Sequence, residues 1–326
     1  MFHTSSQKKF WTFSDEDEIE TLRKEINQKF VEEHGAEAKG KDPANYFLTA
    51  EEERLLCRQY EHLLRDFCRK FEPPMPPAVQ GTSCTYLKRF YLNNSTMDYH
   101  PKYIMLTCVY LACKVEEFNV SIMQFCGNLP KDQEKAAELI LGHELLVMQQ
   151  LNFQLTIHNS FRPLEGLLID IKTRYPSLSE PEQLRRAAEE FLFRSLASDA
   201  CLLFAPSQIS LAAIVTSARK QGLNIDEYVT ETLLGDRQKE DLPVIIETIK
   251  RIRTIVKNVQ PLNGAQVKQI ERKLEKCRNQ ELNPESEVYK KKAQRQIDLE
   301  EEEITIKHQH HADERRKREE EILMSV

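Results

Sequence analysis

Glycine is scarce, 9 residues in 326, and tryptophan occurs once. So few glycines leave little material for the tight turns that sheets need, whereas abundant Leu, Glu, Lys, Gln and Ala favour helix. No stretch approaches the roughly eighteen apolar residues of a membrane span. The N-terminal MFHTSSQKKFWTF lacks both a continuous apolar region and a small-residue cleavage site, so secretion is not expected. A basic excess is missing as well. Lys and Arg number 46 against 52 Asp and Glu, a net charge of -6, which argues against a dedicated nucleic-acid binder. No GxxxxGK[ST] or GxGxxG loop, no CxxC pair and no glycine-flanked Ser or Cys is present. Neither an active site nor a cofactor is therefore expected.

Hydrophobic residues make up 40 % of the chain and charged residues 30 %, so a sizeable core coexists with strongly polar tails. Cys57, Cys68, Cys84, Cys108, Cys113 and Cys201, six of the eight cysteines, sit inside apolar helical patterns. They read as reduced core thiols of the cytosol or nucleus.

Residues 1–48 form an N-terminal arm with one helix expected at about 14–33, because Ser14 and three acidic residues open it and Ile19, Leu22, Ile26 and Phe30 make an apolar stripe. The segment EEHGAEAKGKDPAN reads as a linker. Five helices are expected in residues 49–175, at about 49–71, 77–93, 101–117, 133–151 and 162–173. The PPMPP segment separates the first two, and Pro101 suits the first turn of the third. The pattern then restarts at Pro181. PSQISLAAIVTSARKQG has proline in its first turn and small residues in its middle, as the segment from Pro77 does. Residues 176–262 are therefore read as a second, similar unit. In residues 263–326 one amphipathic helix carries Val267, Ile270 and Leu274 and leads into a Lys/Arg/Glu-rich tail that is solvated or disordered alone. The expected fold is all-α: two stacked five-helix repeats with extra N- and C-terminal helices.

Two charges sit awkwardly. Lys114 ends the apolar helix from Pro101, at the border of a core face. Glu144 has Ile140, Leu141, Val147 and Met148 at spacings of three and four, so it needs a cation or several hydrogen bonds to stay charged. Either the two pair as a structural bridge, or both line a patch that meets a partner. Other candidates are weaker. The KRF of residues 88–90 could bind phosphate but reads as the solvated end of a helix. His308, His310 and His311 lie in the tail without cysteines, which does not suggest a metal site.

The stretch GTSCTYLKRFYLNNSTMDYHPKYIMLTCVYLACKVEEF, residues 81–118, resembles the cyclin box, and the resemblance extends over about 50–260. In cyclins a lysine ending the third box helix and a glutamate in the fourth contact the kinase beside its mobile C-helix. By motif position these are Lys114 and Glu144, with Tyr110, Phe118 and Leu145 expected as apolar contacts. The resemblance thus implies a regulatory, non-enzymatic subunit that activates a cyclin-dependent kinase.

Within the family, SSQKKFWTF, YLNNSTMDYHP and the long tail are similar to the cyclin of the CDK-activating kinase. That similarity implies a kinase acting on activation loops of other cyclin-dependent kinases and, within transcription factor IIH, on RNA polymerase II C-terminal repeats. It also implies a RING-finger assembly subunit and a nuclear location. The alternatives are a cyclin C-like subunit of a Mediator-type kinase, which shares KRFY and the KVEEF helix end, and a non-catalytic scaffold. The transcription factor IIB core has the same two-repeat fold but would need a basic face and a zinc ribbon. The helix ERLLCRQYEHLL does not match the MRAIL-like docking patch of cell-cycle cyclins, and residues 1–50 contain no RxxL destruction box.

Overall fold

The structure, a computed structural model, describes residues 2–38, 42–130, 132–235 and 241–324. Two compact units divide it, Met1–Cys277 and Arg278–Val326. Twelve α-helices of six residues or more among the described residues are numbered in chain order below, and those residues contain no strand.

The arm helix α1 spans Glu16–His34, with the Asp15 carboxylate accepting from the Glu18 N–H rather than Ser14 acting as cap. Its stripe docks as the spacing predicts: Ile19 enters one core and Phe30 another. Of the predicted linker, 35–38 forms a 3-10 turn and Pro43–Tyr46 a helical turn, while 39–41 lie outside the described residues.

The first repeat consists of α2 (Ala50–Lys70), α3 (Pro77–Phe90), α4 (Pro101–Val115), α5 (Ile122–Gly127) and α6 (Gln133–Gln150). A capping box starts α2, where Thr49 and Glu52 satisfy each other's backbone N–H groups. In the middle sits α4, packed against α2, α3 and α6, so Ile104, Cys108 and Leu111 are fully enclosed. The apolar spacing did not reveal α5, which is too short to show a period, although Ser121 and Gln124 form a capping box at its start.

The second repeat consists of α7 (Phe161–Arg174), α8 (Arg185–Ser195), α9 (Pro206–Lys220), a π-helical turn at Tyr228–Leu233 and α10 (Leu242–Lys257). Two expectations change here. Leu164, Leu168 and Ile171 of α7 enter the second core, so the division lies before Phe161 instead of at 175. The helix at the centre of the second repeat is α9, packed against α7, α8 and α10. It therefore corresponds to α4 from Pro101, and the likeness of the Pro206 helix to the Pro77 helix reflects only that both are enclosed.

Close packing has a specific requirement at Gly81 of α3. A Cβ there would sit 2.1 Å from the Asn159 Oδ1. The Asn159 amide donates to the Ala78 carbonyl at 3.2 Å and to the Thr82 hydroxyl at 2.8 Å, fastening the inter-repeat segment to α3. Helix α11 (Gly264–Cys277) returns to α2 and adds Ile270, Leu274 and Cys277 to the first core. In the second unit α12 (Glu287–Met324) is capped by the Ser286 hydroxyl, which accepts from the Tyr289 N–H, and its Ile297, Leu299, Ile304 and Ile306 are exposed.

All eight cysteines are free thiols, seven of them buried, and burial pushes the Cys84 and Cys113 thiols up to about 12.

Candidate functional site: a charged pair on the face of α4 and α6

Lys114 and Glu144 meet. The Lys114 ammonium donates to both Glu144 carboxylate oxygens, at 2.6 and 2.8 Å. The pairing that the apolar surroundings of Glu144 demanded is thus present. Lys114 keeps 45 % of its side chain exposed and Glu144 15 %, so the pair faces outward from the seam between α4 and α6.

Local structure sets its position. Lys114 lies in the last turn of α4, where a cation complements the helix dipole. Its ammonium sits 4.6 Å from the centre of the Tyr110 ring one turn back. That ring is itself buried, edge-on to Phe125 of α5 at 5.3 Å. Just beyond, Glu117 takes φ 57 and the Phe118 N–H donates to the Cys113 carbonyl at 2.9 Å. This left-handed closure turns Phe118 back toward Phe71, with ring centres 6.2 Å apart.

On α6, Ile140 and Val147 are buried, whereas Leu141 and Leu145 are 47 % and 54 % exposed. Glu144 therefore lies on the border between a buried and an open stripe rather than in an apolar ring. Among the five predicted residues, Lys114, Glu144 and Leu145 are accessible, Tyr110 supports the lysine from beneath, and Phe118 is partly buried against the core. Leu141 was missed. It stands one helical turn before Leu145, so the pair presents one apolar stripe beside the charges. The four-residue spacing from Leu145 is the signal that points to Leu141, although the same residue also flanks Glu144 at a spacing of three.

The KRF reading is overturned. Lys88 is 3 % exposed and Arg89 fully enclosed. The Lys88 ammonium lies 2.7 Å from Glu61 of α2 and 3.8 Å from Asp199, which precedes the Ala200–Leu203 turn of the second repeat. Arg54 of α2 pairs with both carboxylates at 3.1 Å, and Arg23 of α1 forks onto Asp199 at 2.9 and 3.0 Å. Burial alone would raise the Asp199 pKa, but Arg54, Arg23 and Lys88 hold it well below the usual carboxylate range. The Arg89 guanidinium lies 4.8 Å from the centre of the Trp11 ring, and burial pushes its pKa down to about 10. Trp11 in turn donates to the Gln154 side chain at 2.6 Å. These residues join the arm, α1 and both repeats.

Elsewhere, no cluster of His, Cys, Asp or Glu that could hold a metal forms among the described residues.

Residues 36–156 match the model of the cyclin N-terminal domain and 159–257 that of the cyclin C-terminal domain. The chain is 48 % identical to Cyclin-H of Xenopus laevis over 285 residues, 86 % of its own length and 88 % of that protein's. It belongs to the cyclin family. Among solved structures it resembles a chain of the CAK complex from Chaetomium thermophilum bound to ATP-gamma-S. The TM-score is 0.76 at 26 % identity, covering 91 % of this chain and 94 % of that one. The match to Cyclin-C of Drosophila melanogaster is narrower, 30 % identity over 149 residues and 42 % of the chain.

Proposed function

We propose that this cyclin is the regulatory subunit of a CDK-activating kinase, and that Lys114 and Glu144 with Leu141 and Leu145 form its kinase-binding face. The observation that carries the reading is the outward-facing, mutually held charge pair on the α4–α6 seam. Neither member is sealed in the core, so each keeps hydrogen-bonding capacity for another backbone. Mutual pairing also fixes their rotamers before a partner arrives. Broad likeness to Cyclin-H over nearly the whole chain supports the assignment, and the narrower likeness to Cyclin-C makes the Mediator-type alternative second.

The work of such a subunit is allosteric. A protein kinase is active when its C-helix glutamate pairs with the ATP-site lysine and its activation loop is ordered. A rigid surface that binds this arrangement better than the inactive one shifts the equilibrium by its difference in affinity. The cyclin itself performs no bond chemistry. Its kinase would phosphorylate activation loops of other cyclin-dependent kinases and, within transcription factor IIH in the nucleus, polymerase C-terminal repeats. A RING-finger assembly subunit would join the complex.

The test is affinity purification from native extract, with the co-purifying kinase offered an unphosphorylated cyclin-dependent kinase. Wild-type cyclin is expected to bring down activation-loop phosphorylation, and Lys114→Glu/Glu144→Lys to lose it. The swap keeps opposite charges facing each other across a partly exposed pair, so helical circular dichroism should be unchanged and the stability change should stay within about 1 kcal/mol. Phosphorylation of polymerase repeats alone would favour the cyclin C-like reading. Kinase binding unaffected by the double change would remove Lys114 and Glu144 from the interface.

A further inference from the structure

On a different face, α2, α8, α10 and the segment after α10 enclose an open groove of about 1180 Å³. None of its lining residues comes from α4 or α6, which carry Lys114 and Glu144. Arg65, Arg194, Lys250, Arg253 and Lys257 contribute five cations to its walls, against the single carboxylate of Asp66. That carboxylate is already taken by Arg69. Arg65, Arg194, Arg253 and Lys257 form no ion pair with any described residue, although acidic residues outnumber basic ones in the chain. The Arg65 Nε is sealed from solvent without an acceptor. Arg65 and Arg194 also line a smaller adjoining depression with Arg69, Lys220 and Glu190, where Glu190 holds Lys220 at 3.4 Å and Asp66 holds Arg69, so the unpaired cations are those of the main groove. Mixed charge along the sequence concealed this local basic face.

Between the cations the floor is apolar, formed by Leu63, Phe191, Val256 and Leu262. The wall is preformed as well, because Arg58 of α2 donates to the Gln260 carbonyl and pins the segment that follows α10. Guanidinium groups without an ion-pair partner beside an apolar floor are strong acceptor-seekers, since each can fork onto a carboxylate.

We infer that this groove docks an extended acidic segment of a partner protein, with carboxylates alternating with apolar side chains. A small molecule would leave much of the open trough wet. A nucleic acid, charged along its whole length, would be repelled by the net charge of -6, whereas a short segment senses chiefly the cations within a Debye length of about 8 Å. The apolar floor has a counterpart in a peptide with hydrophobic residues and none in a phosphate backbone. This inference does not rest on the kinase reading.

The experiment is fluorescence anisotropy on the full chain, using a fluorescein-labelled peptide of alternating Glu and Leu. The same peptide with Gln for Glu and a single-stranded oligonucleotide of equal charge serve as comparisons. The acidic peptide is expected to bind with salt-sensitive affinity, and the Gln peptide not to bind. Arg65→Gln/Arg194→Gln/Arg253→Gln should weaken binding about tenfold or more while kinase activation through Lys114 and Glu144 persists. Should the triple variant misfold, Lys250→Glu/Lys257→Glu, at two exposed positions, carries the same expectation. No peptide binding, binding unchanged in the folded variant, or tighter binding of the oligonucleotide than of the peptide would each overturn the inference.

Discussion

Replacing Lys88 with methionine tests whether the charges at the centre of the molecule are a sealed network. Methionine keeps the apolar stem, so the change removes little packing volume. What it removes is the ammonium 2.7 Å from Glu61, at a site where the two side chains are 0 % and 1 % exposed. Breaking a buried pair from one side costs about 3–5 kcal/mol, because the remaining charge is left desolvated. Arg54 still reaches the other Glu61 oxygen at 3.1 Å, which places the expected loss near the lower end, about 3 kcal/mol. At about 2–4 °C per kcal/mol for a domain of this size, Tm should fall by roughly 6–12 °C. Lys88→Met/Glu61→Leu removes both charges and leaves Arg54 to Asp199, so it should cost less than the two single changes added together. Thermal melts followed by circular dichroism at low and high salt provide the measurement, with salt expected to alter the difference little for an enclosed pair. A single-variant cost below about 1 kcal/mol, the range of exposed pairs, or strict additivity in the double variant would refute the reasoning.

The depressed pKa of Asp199 has a definite sign. Its stabilisation is fully present above the free carboxyl value of 3.8 and is lost as pH falls below that value toward the folded one. Asp199→Asn should therefore be less stable than wild type at neutral pH, with the Tm gap narrowing below about pH 4; a constant gap would contradict this. Gly81→Ala should cost about 1–3 kcal/mol through the clash with Asn159, and Asn159→Ala in the same chain should recover part of it by freeing the space, as paired urea titrations would reveal. Trp11 is the lone tryptophan and is 5 % exposed over Arg89. Its emission should shift to the red when Arg89→Ala loosens the arm, before the far-ultraviolet helix signal changes. Coincident loss of both signals would mean that arm and repeats unfold together.

The pattern of caps, stripes and prolines along the chain placed the long helices of the arm and the first repeat within a few residues, since those signals act locally, whereas the 38-residue α12 lies in the tail read as solvated or disordered. Lys114 and Glu144 were legible for the same reason: each conflicts with its own helical neighbours, and a charge in an apolar setting points to a partner. Lys88 and Arg89 were misread because the residues that neutralise or cover them come from far along the chain, Glu61 and Asp199 in one case and Trp11 in the other. No period or propensity encodes that meeting. Helix α7 was assigned to the wrong repeat on equally physical grounds. Its apolar stripe shows that it must dock, and only the packed structure shows that Leu164, Leu168 and Ile171 dock into the second core. The basic groove escaped notice because α2, α8 and α10 each contribute a few cations in ordinary-looking company.

The order in which the members of the buried charge network leave the ribosome has its own consequence. Arg23, Arg54, Glu61 and Lys88 all emerge before Asp199, the carboxylate that Arg23, Arg54 and Lys88 share. Until the second repeat has been made, Arg54 and Lys88 share Glu61 alone and Arg23 lacks its carboxylate. Domains generally fold as units from the N-terminus during synthesis. Here that early unit is electrostatically incomplete, so chains halted between the two repeats should be prominent clients of chaperones and proteases.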